Sequence, residues 1–87
     1  MTTDKDKQVL EIMKFVQIFR NAFTKCFLKY QKRERLYGES WRTCNITFLE
    51  ERLLREIEEY KESKSRDELV DIANLCFMII ERREKNN

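Results

Sequence analysis

Residues 47–80 read TFLEERLLREIEEYKESKSRDELVDIANLCFMII. Apolar residues recur at helical intervals in two blocks, separated by a short polar stretch at 62–65. At about 100° per residue, the block 47–62 puts Leu49, Leu53, Ile57 and Tyr60 on one stripe. The block 67–83 does the same for Leu69, Ile72, Ala73, Cys76, Ile79 and Ile80. Two amphipathic helices joined by so short a turn bury their stripes by lying side by side and antiparallel. The pattern therefore predicts a helical hairpin.

Each helix of the hairpin carries an acidic pair. Glu56 and Glu59 are three residues apart on the first, and Glu68 and Asp71 three apart on the second, so each pair shares a face. Glu56 falls inside the apolar stripe, about 20° from Leu49, and Glu59 sits at its edge beside Phe48 and Arg52. Glu68 flanks the second stripe near Leu75 and Ile79, and Asp71 lies next to Met78. Carboxylates on core-facing positions are rare unless paired or bound to metal. Four that converge repel one another unless a hard cation with oxygen ligands sits among them. Mg²⁺, or Mn²⁺ as a substitute, is the expected ion. The plainer reading is a set of solvated acids on Lys/Glu-rich helices. Glu68 has a further competitor: Ser65-Arg66-Asp67-Glu68 has the spacing of a capping box, in which Glu68 would bond the Ser65 backbone.

Upstream lies a longer helical pattern. Residues 1–3 are expected to fray, Thr3 or Asp4 to cap, and the helix to run to about Leu36. Its seam is Val9, Ile12, Val16, Phe19, Phe23, Cys26 and Tyr30, and a second stripe of Met13, Phe15, Ile18, Ala22 and Phe27 runs beside it. This helix would be about 45 Å long against about 25 Å for each later one. A hairpin that short cannot cover both stripes. The expected architecture is all-α: a long N-terminal helix plus a helical hairpin, completing a helix bundle by oligomerisation as a homodimer or dimer of dimers. The basic run at 29–35 reads either as a nucleic-acid contact or, more commonly for such a run, as a solvated helix end with cations near the carboxyl terminus. Residues 37–46 form the one clear loop, with Gly38 as the helix stop. Trp41, beside Arg42, either stacks on a base or caps the end of the bundle. Thr47-Phe48-Leu49-Glu50 has the form of a capping box that opens the next helix.

Composition narrows the class. The chain has 87 residues, enough for a single domain over 1–87, with no Pro and one Gly, which disfavours a turn-rich sheet protein. Charged residues make up 39% at a net charge of +2, a mixed surface too balanced to signal nucleic-acid binding. No apolar run is long enough to span a membrane and no signal peptide opens the chain, so a cytoplasmic location is expected. Cys26, Cys44 and Cys76 show no metal spacing, and reduced thiols fit that compartment. The absence of His excludes Ser-His and Cys-His nucleophilic catalysis within one chain.

The segments REIEEY, with Glu56 and Glu59, and DELVDIANLCFMI, with Glu68 and Asp71, resemble the MazG-like branch of the all-α nucleoside triphosphate pyrophosphohydrolases, including its small archaeal and viral-type members. That family carries E-x-x-E on one helix and E-x-x-D on the next. The likeness covers roughly residues 41–80 and includes the upstream Trp41 and FLEERLL. A further acid that many members place just before the first pair is replaced here by Arg55, and only eight residues separate Glu59 from Glu68. The resemblance implies Mg-dependent hydrolysis of a (d)NTP to a (d)NMP and pyrophosphate, with Glu56, Glu59, Glu68 and Asp71 as metal ligands. Glu56, in the least polar surroundings, is the candidate to take the proton of the attacking water. Arg52, Arg55, Lys64 and Arg66 are candidate phosphate contacts. Trp41 and Asn74 are candidates for the base pocket, Asn74 because the resemblance sets a polar residue near the substrate there. The competing expectation is a non-catalytic helical dimer that acts as a regulatory or assembly protein.

Overall fold

A computed structural model describes residues 3–85, apart from the side chain of Tyr37. Among the described residues the secondary structure is helical throughout: α1 (Asp4–Tyr37), a single 3-10 turn (Ser40–Arg42), α2 (Ile46–Ser63) and α3 (Arg66–Lys85). The expected long helix and hairpin are therefore present. No described helix is long and apolar enough to cross a membrane.

The helix ends show which local signals decide each boundary. Thr3 caps α1: its hydroxyl accepts the Asp6 N–H at 3.1 Å, and the Asp6 carboxylate accepts the Thr3 N–H at 3.3 Å. Thr3 is thus the cap rather than a frayed residue, while residues 1 and 2 lie outside the described part. Gly38 stops the helix at φ 70° and ψ −163°, a region essentially confined to glycine, and its N–H reaches the Glu34 carbonyl at 2.8 Å. The expected Thr47 capping box does not form. Asn45 is the cap instead, its amide oxygen accepting the Thr47 N–H at 3.0 Å, so Thr47 lies inside the first turn. The carboxamide two residues upstream takes the Thr47 N–H that Glu50 would have accepted in the box. At the hairpin turn Lys64 adopts the left-handed conformation, φ 56°, and its N–H closes on the Tyr60 carbonyl at 2.8 Å.

α3 is the central element. α1 and α2 pack against it from two sides and leave a cleft between themselves. Leu49 and Leu75 are the most buried apolar residues, 2% and 3% exposed, each contributing about 1.5–3 kcal/mol by burial. The α2 stripe lies as predicted: Leu49 is buried and Leu53, Ile57 and Tyr60 are half-buried. On α3 the most buried face is rotated from the predicted stripe. Asp71, Asn74 and Leu75 are buried, whereas Leu69 and Ile80 are exposed. A helix with neighbours on two sides buries a wider arc than one stripe, and here the arc is centred on polar residues that α1 engages.

Among the described side chains of α1 only Cys26 is buried. Ile12, Phe15 and Phe19 are 62%, 62% and 68% exposed, and Val9, Val16, Ile18 and Phe23 lie open with them. The N-terminal part of the helix projects past the hairpin, whereas Val16, Phe19 and Phe23 border a groove with Ala73 and Phe77 of α3. The radius of gyration is accordingly 16.8 Å, against about 12 Å for a compact chain of this length.

Candidate functional site

Asp71 sits where α3 faces the C-terminal third of α1. Its side chain is only 10% exposed, with Lys29 Nζ 3.0 Å from Oδ1 and an Arg33 guanidinium nitrogen 3.4 Å from Oδ2. Oδ1 is buried without a hydrogen bond of good geometry, and the Lys29 ammonium also donates to the Asp67 carbonyl at 3.2 Å. One turn on, buried Asn74 donates its amide to the Cys26 carbonyl at 3.0 Å, tying α3 to α1. That bond satisfies a buried polar side chain and leaves its oxygen free to accept.

Glu56 faces the same region from α2 and is half-buried. Burial pushes its carboxyl above the ordinary Glu value, and the charges of Glu59 and Asp71 push the same way, while Arg52 and Arg33 partly offset them. The charges of Glu59, one turn on along α2, and of Asp71, across the hairpin on α3, both reach Glu56. Glu68 stands apart at the turn. Its carboxylate accepts the Ser63 hydroxyl proton, and the Ser63 oxygen in turn accepts the Ser65 N–H at 3.1 Å. The Ser65 hydroxyl accepts the Asp67 N–H at 3.2 Å. The capping box between Ser65 and Glu68 is therefore absent, because Ser63 holds both the carboxylate and the backbone N–H that the box would have joined.

These donors suit a hard divalent cation in kind, being carboxylate oxygens, and Asp71 Oδ1 is a buried acceptor short of a donor. Their arrangement is looser than a formed site. Among the described residues, no three His, Cys, Asp or Glu side chains come together closely enough to hold a metal ion. To join the other acids around an ion, Glu68 has to leave Ser63 and Asp71 has to release Lys29.

Three clefts run side by side across this region. An aromatic cavity of about 300 Å³ includes Phe23, Phe27, Tyr30, Trp41, Asn74 and Phe77 in its walls. A narrower one, reaching Arg33, Arg52 and Asp71, shares Tyr30, Trp41, Asn74 and Met78 with it. The third, about 380 Å³, is lined by Lys29, Lys32, Arg33, Leu36 and Arg52. Trp41 walls the first two. Its indole N–H donates to the Tyr30 hydroxyl at 3.0 Å, and the Arg42 guanidinium lies 4.5 Å above its ring. Arg82 donates to the Trp41 carbonyl at 2.8 Å and fixes this connection to α3. Trp41 therefore closes the end of the helix pack with one ring face already covered.

Of the candidate phosphate contacts, Arg52 lies in the clefts and Arg55, Lys64 and Arg66 line neither of the two that hold it. The Lys64 ammonium sits 5.2 Å over the Tyr60 ring, and Arg66 borders a groove with Ile18 and Lys25. Sequence reasoning missed Lys29, Lys32 and Arg33. The available signal was their i, i+3, i+4 spacing, which puts three cations on one face of α1. No protein-family model, no curated protein and no solved structure matches the chain.

Proposed function

We propose that the protein is a divalent-cation-dependent nucleoside triphosphate pyrophosphohydrolase, hydrolysing a (d)NTP to a (d)NMP and pyrophosphate. The observation that carries the reading is the cross-hairpin acidic group. Burial first, and then the nearby charges of Glu59 and Asp71, raise the Glu56 carboxyl pKa, with Arg52 and Arg33 offsetting in part. The family resemblance of the two acidic pairs supplies the reaction. Glu56, Glu59, Asp71 and, after leaving Ser63, Glu68 are the residues to hold Mg²⁺ or Mn²⁺. When bound, such an ion neutralises phosphate charge and lowers the pKa of a bound water. Glu56, with a raised pKa in a half-buried place, is a better base than an exposed carboxylate and accepts the proton of the attacking water. Arg52 contacts phosphate, and Trp41 and Asn74 wall the neighbouring cavity in which a planar base fits.

A homodimer, or a dimer of dimers, completes the bundle in this reading. The surface of one chain is 7375 Å². A compact protein of its mass exposes about 5,500 Å². The excess of roughly 1,900 Å² per chain is of the order that obligate homodimers bury, and α1 carries the apolar residues for it.

One observation favours the second reading, a non-catalytic helical dimer. Asp71 is already paired with Lys29 and Arg33, which is how a structural carboxylate is satisfied. Thermal unfolding with and without Mn²⁺ separates the two. A ligand that binds only the native state at 100 times its Kd adds about 2.7 kcal/mol, a rise of roughly 10–20 °C for a domain this small. The catalytic reading predicts such a rise, lost in Glu59→Gln. An unchanged midpoint favours the structural dimer.

A further inference from the structure

We propose that the cleft between α1 and α2 formed by Lys29, Lys32, Arg33 and Arg52 is a subsite for the phosphate chain of the ligand. The proposal deepens the pyrophosphohydrolase reading and rests on it for the rest of the substrate. Lys29, Lys32 and Arg33 project from one face of α1 at i, i+3 and i+4, and Arg52 comes from α2 on the facing wall. The cleft exists because both helices pack on α3 rather than on each other.

Four cations on facing walls repel one another unless an anion lies among them. Asp71 pairs directly with two, Oδ1 near Lys29 and Oδ2 near Arg33, and Glu56 acts on Arg52 and Arg33 only from beyond ion-pair distance. Among the described residues neither Lys32 nor Arg52 has a carboxylate within 4.0 Å, whereas Arg42, Lys61, Arg83 and Lys85 each do. The two guanidinium groups offer planar forks that match phosphate oxygens in pairs, and the two ammonium groups add compact charge. Leu36, itself exposed, borders the cleft on one side. The cleft adjoins the acids through Arg33 and Arg52, which belong to both clefts. A nucleotide lying across the three clefts would place its base by Trp41, its reacting phosphate by Glu56 and Asp71, and its terminal phosphates among the four cations. In the free protein Asp71 holds Lys29 and Arg33 in position for that role. A half-open cleft of about 380 Å³ matches a short phosphate chain in size, whereas a polynucleotide backbone needs a longer track.

The test is calorimetric titration of inorganic tripolyphosphate into the full chain without divalent ion, at low and moderate salt. Wild type is expected to bind, more weakly as salt rises. The double variant Lys32→Ala/Arg52→Ala is expected to bind at least about tenfold more weakly, since two charge-assisted phosphate contacts are lost. Lys61→Ala, a cation outside the cleft, should bind as wild type does. Both altered side chains face solvent or the cleft, so circular dichroism and the thermal midpoint should stay near wild type. Absence of binding by wild type overturns the proposal, as does equal binding by the double variant. Tighter binding of a single-stranded oligonucleotide than of tripolyphosphate at the same salt also overturns it. Pyrophosphate release with no contrast between wild type and double variant in this titration sinks the subsite alone. Full contrast with no pyrophosphate from any nucleotide sinks the catalytic reading alone.

Discussion

Asp71 and Glu56 are two carboxylates in one site with opposite surroundings. Asp71 lies against two cations, Lys29 at 3.0 Å and Arg33 at 3.4 Å. Mutual repulsion among four acids would make loss of its charge stabilising, but these pairs reverse the sign. Asp71→Asn is expected to lower stability of the metal-free protein by about 1–2 kcal/mol, between the values for exposed and buried pairs, because Lys29 and Arg33 can swing toward water. The measurement is a urea or thermal transition in chelator. An unchanged or raised midpoint would mean that the two ion pairs contribute nothing. Glu56 is held above its ordinary pKa by burial first and by Glu59 and Asp71 next. An acid with a raised folded pKa contributes stability that is complete below its unfolded pKa and lost as pH rises through the folded value. Glu56→Gln should therefore raise the metal-free midpoint at neutral pH. The gain should vanish below the usual Glu value of about 4.3. A variant that is less stable at neutral pH would show that Glu56 is a paired structural group.

The hairpin was legible because Leu49, Leu53 and Ile57 keep one period and meet one neighbour. α3 was less so. It has two neighbours, and its buried arc is set by Lys29, Arg33 and the Cys26 carbonyl on α1, partners that no local period encodes. The acidic pairs of α2 and α3 could be read from spacing, but their distances apart could not. Ser63, which takes Glu68 away from the others, acts through a turn whose shape the pattern left open. The basic face of α1 was visible as a run of cations and became a cleft only when Arg52 arrived from α2. The same turn gives a prediction about Lys64. A left-handed, non-glycine residue closes α2 there, at a cost of about 1 kcal/mol relative to glycine. Lys64→Gly should raise the thermal midpoint by roughly 4–8 °C. If triphosphate affinity is unchanged in the variant, Lys64 is a helix terminator and not a phosphate contact. If affinity falls, its ammonium belongs to the ligand.

Three apolar residues are well buried among those described, and the exposed Phe, Ile and Val of the projecting helix form a patch of the kind an interface covers. Phe19 is 68% exposed in the single chain, so a charge there disturbs its own fold little. Phe19→Glu should yield a folded, helical monomer where wild type sediments as a dimer or larger at micromolar concentration. A wild-type monomer would contradict the assembly. Dimerisation leaves open whether the acids of the hairpin work on a nucleotide, since a regulatory dimer would bury α1 equally well. That is decided by incubating wild-type protein with a panel of nucleoside triphosphates and Mg²⁺ and quantifying pyrophosphate and inorganic phosphate separately. The pyrophosphohydrolase reading predicts pyrophosphate and nucleoside monophosphate in equal amounts from at least one nucleotide, without free phosphate, and loss of both products in Glu59→Gln. Release of phosphate with nucleoside diphosphate, or no release above the Glu59→Gln background from any nucleotide, would contradict it.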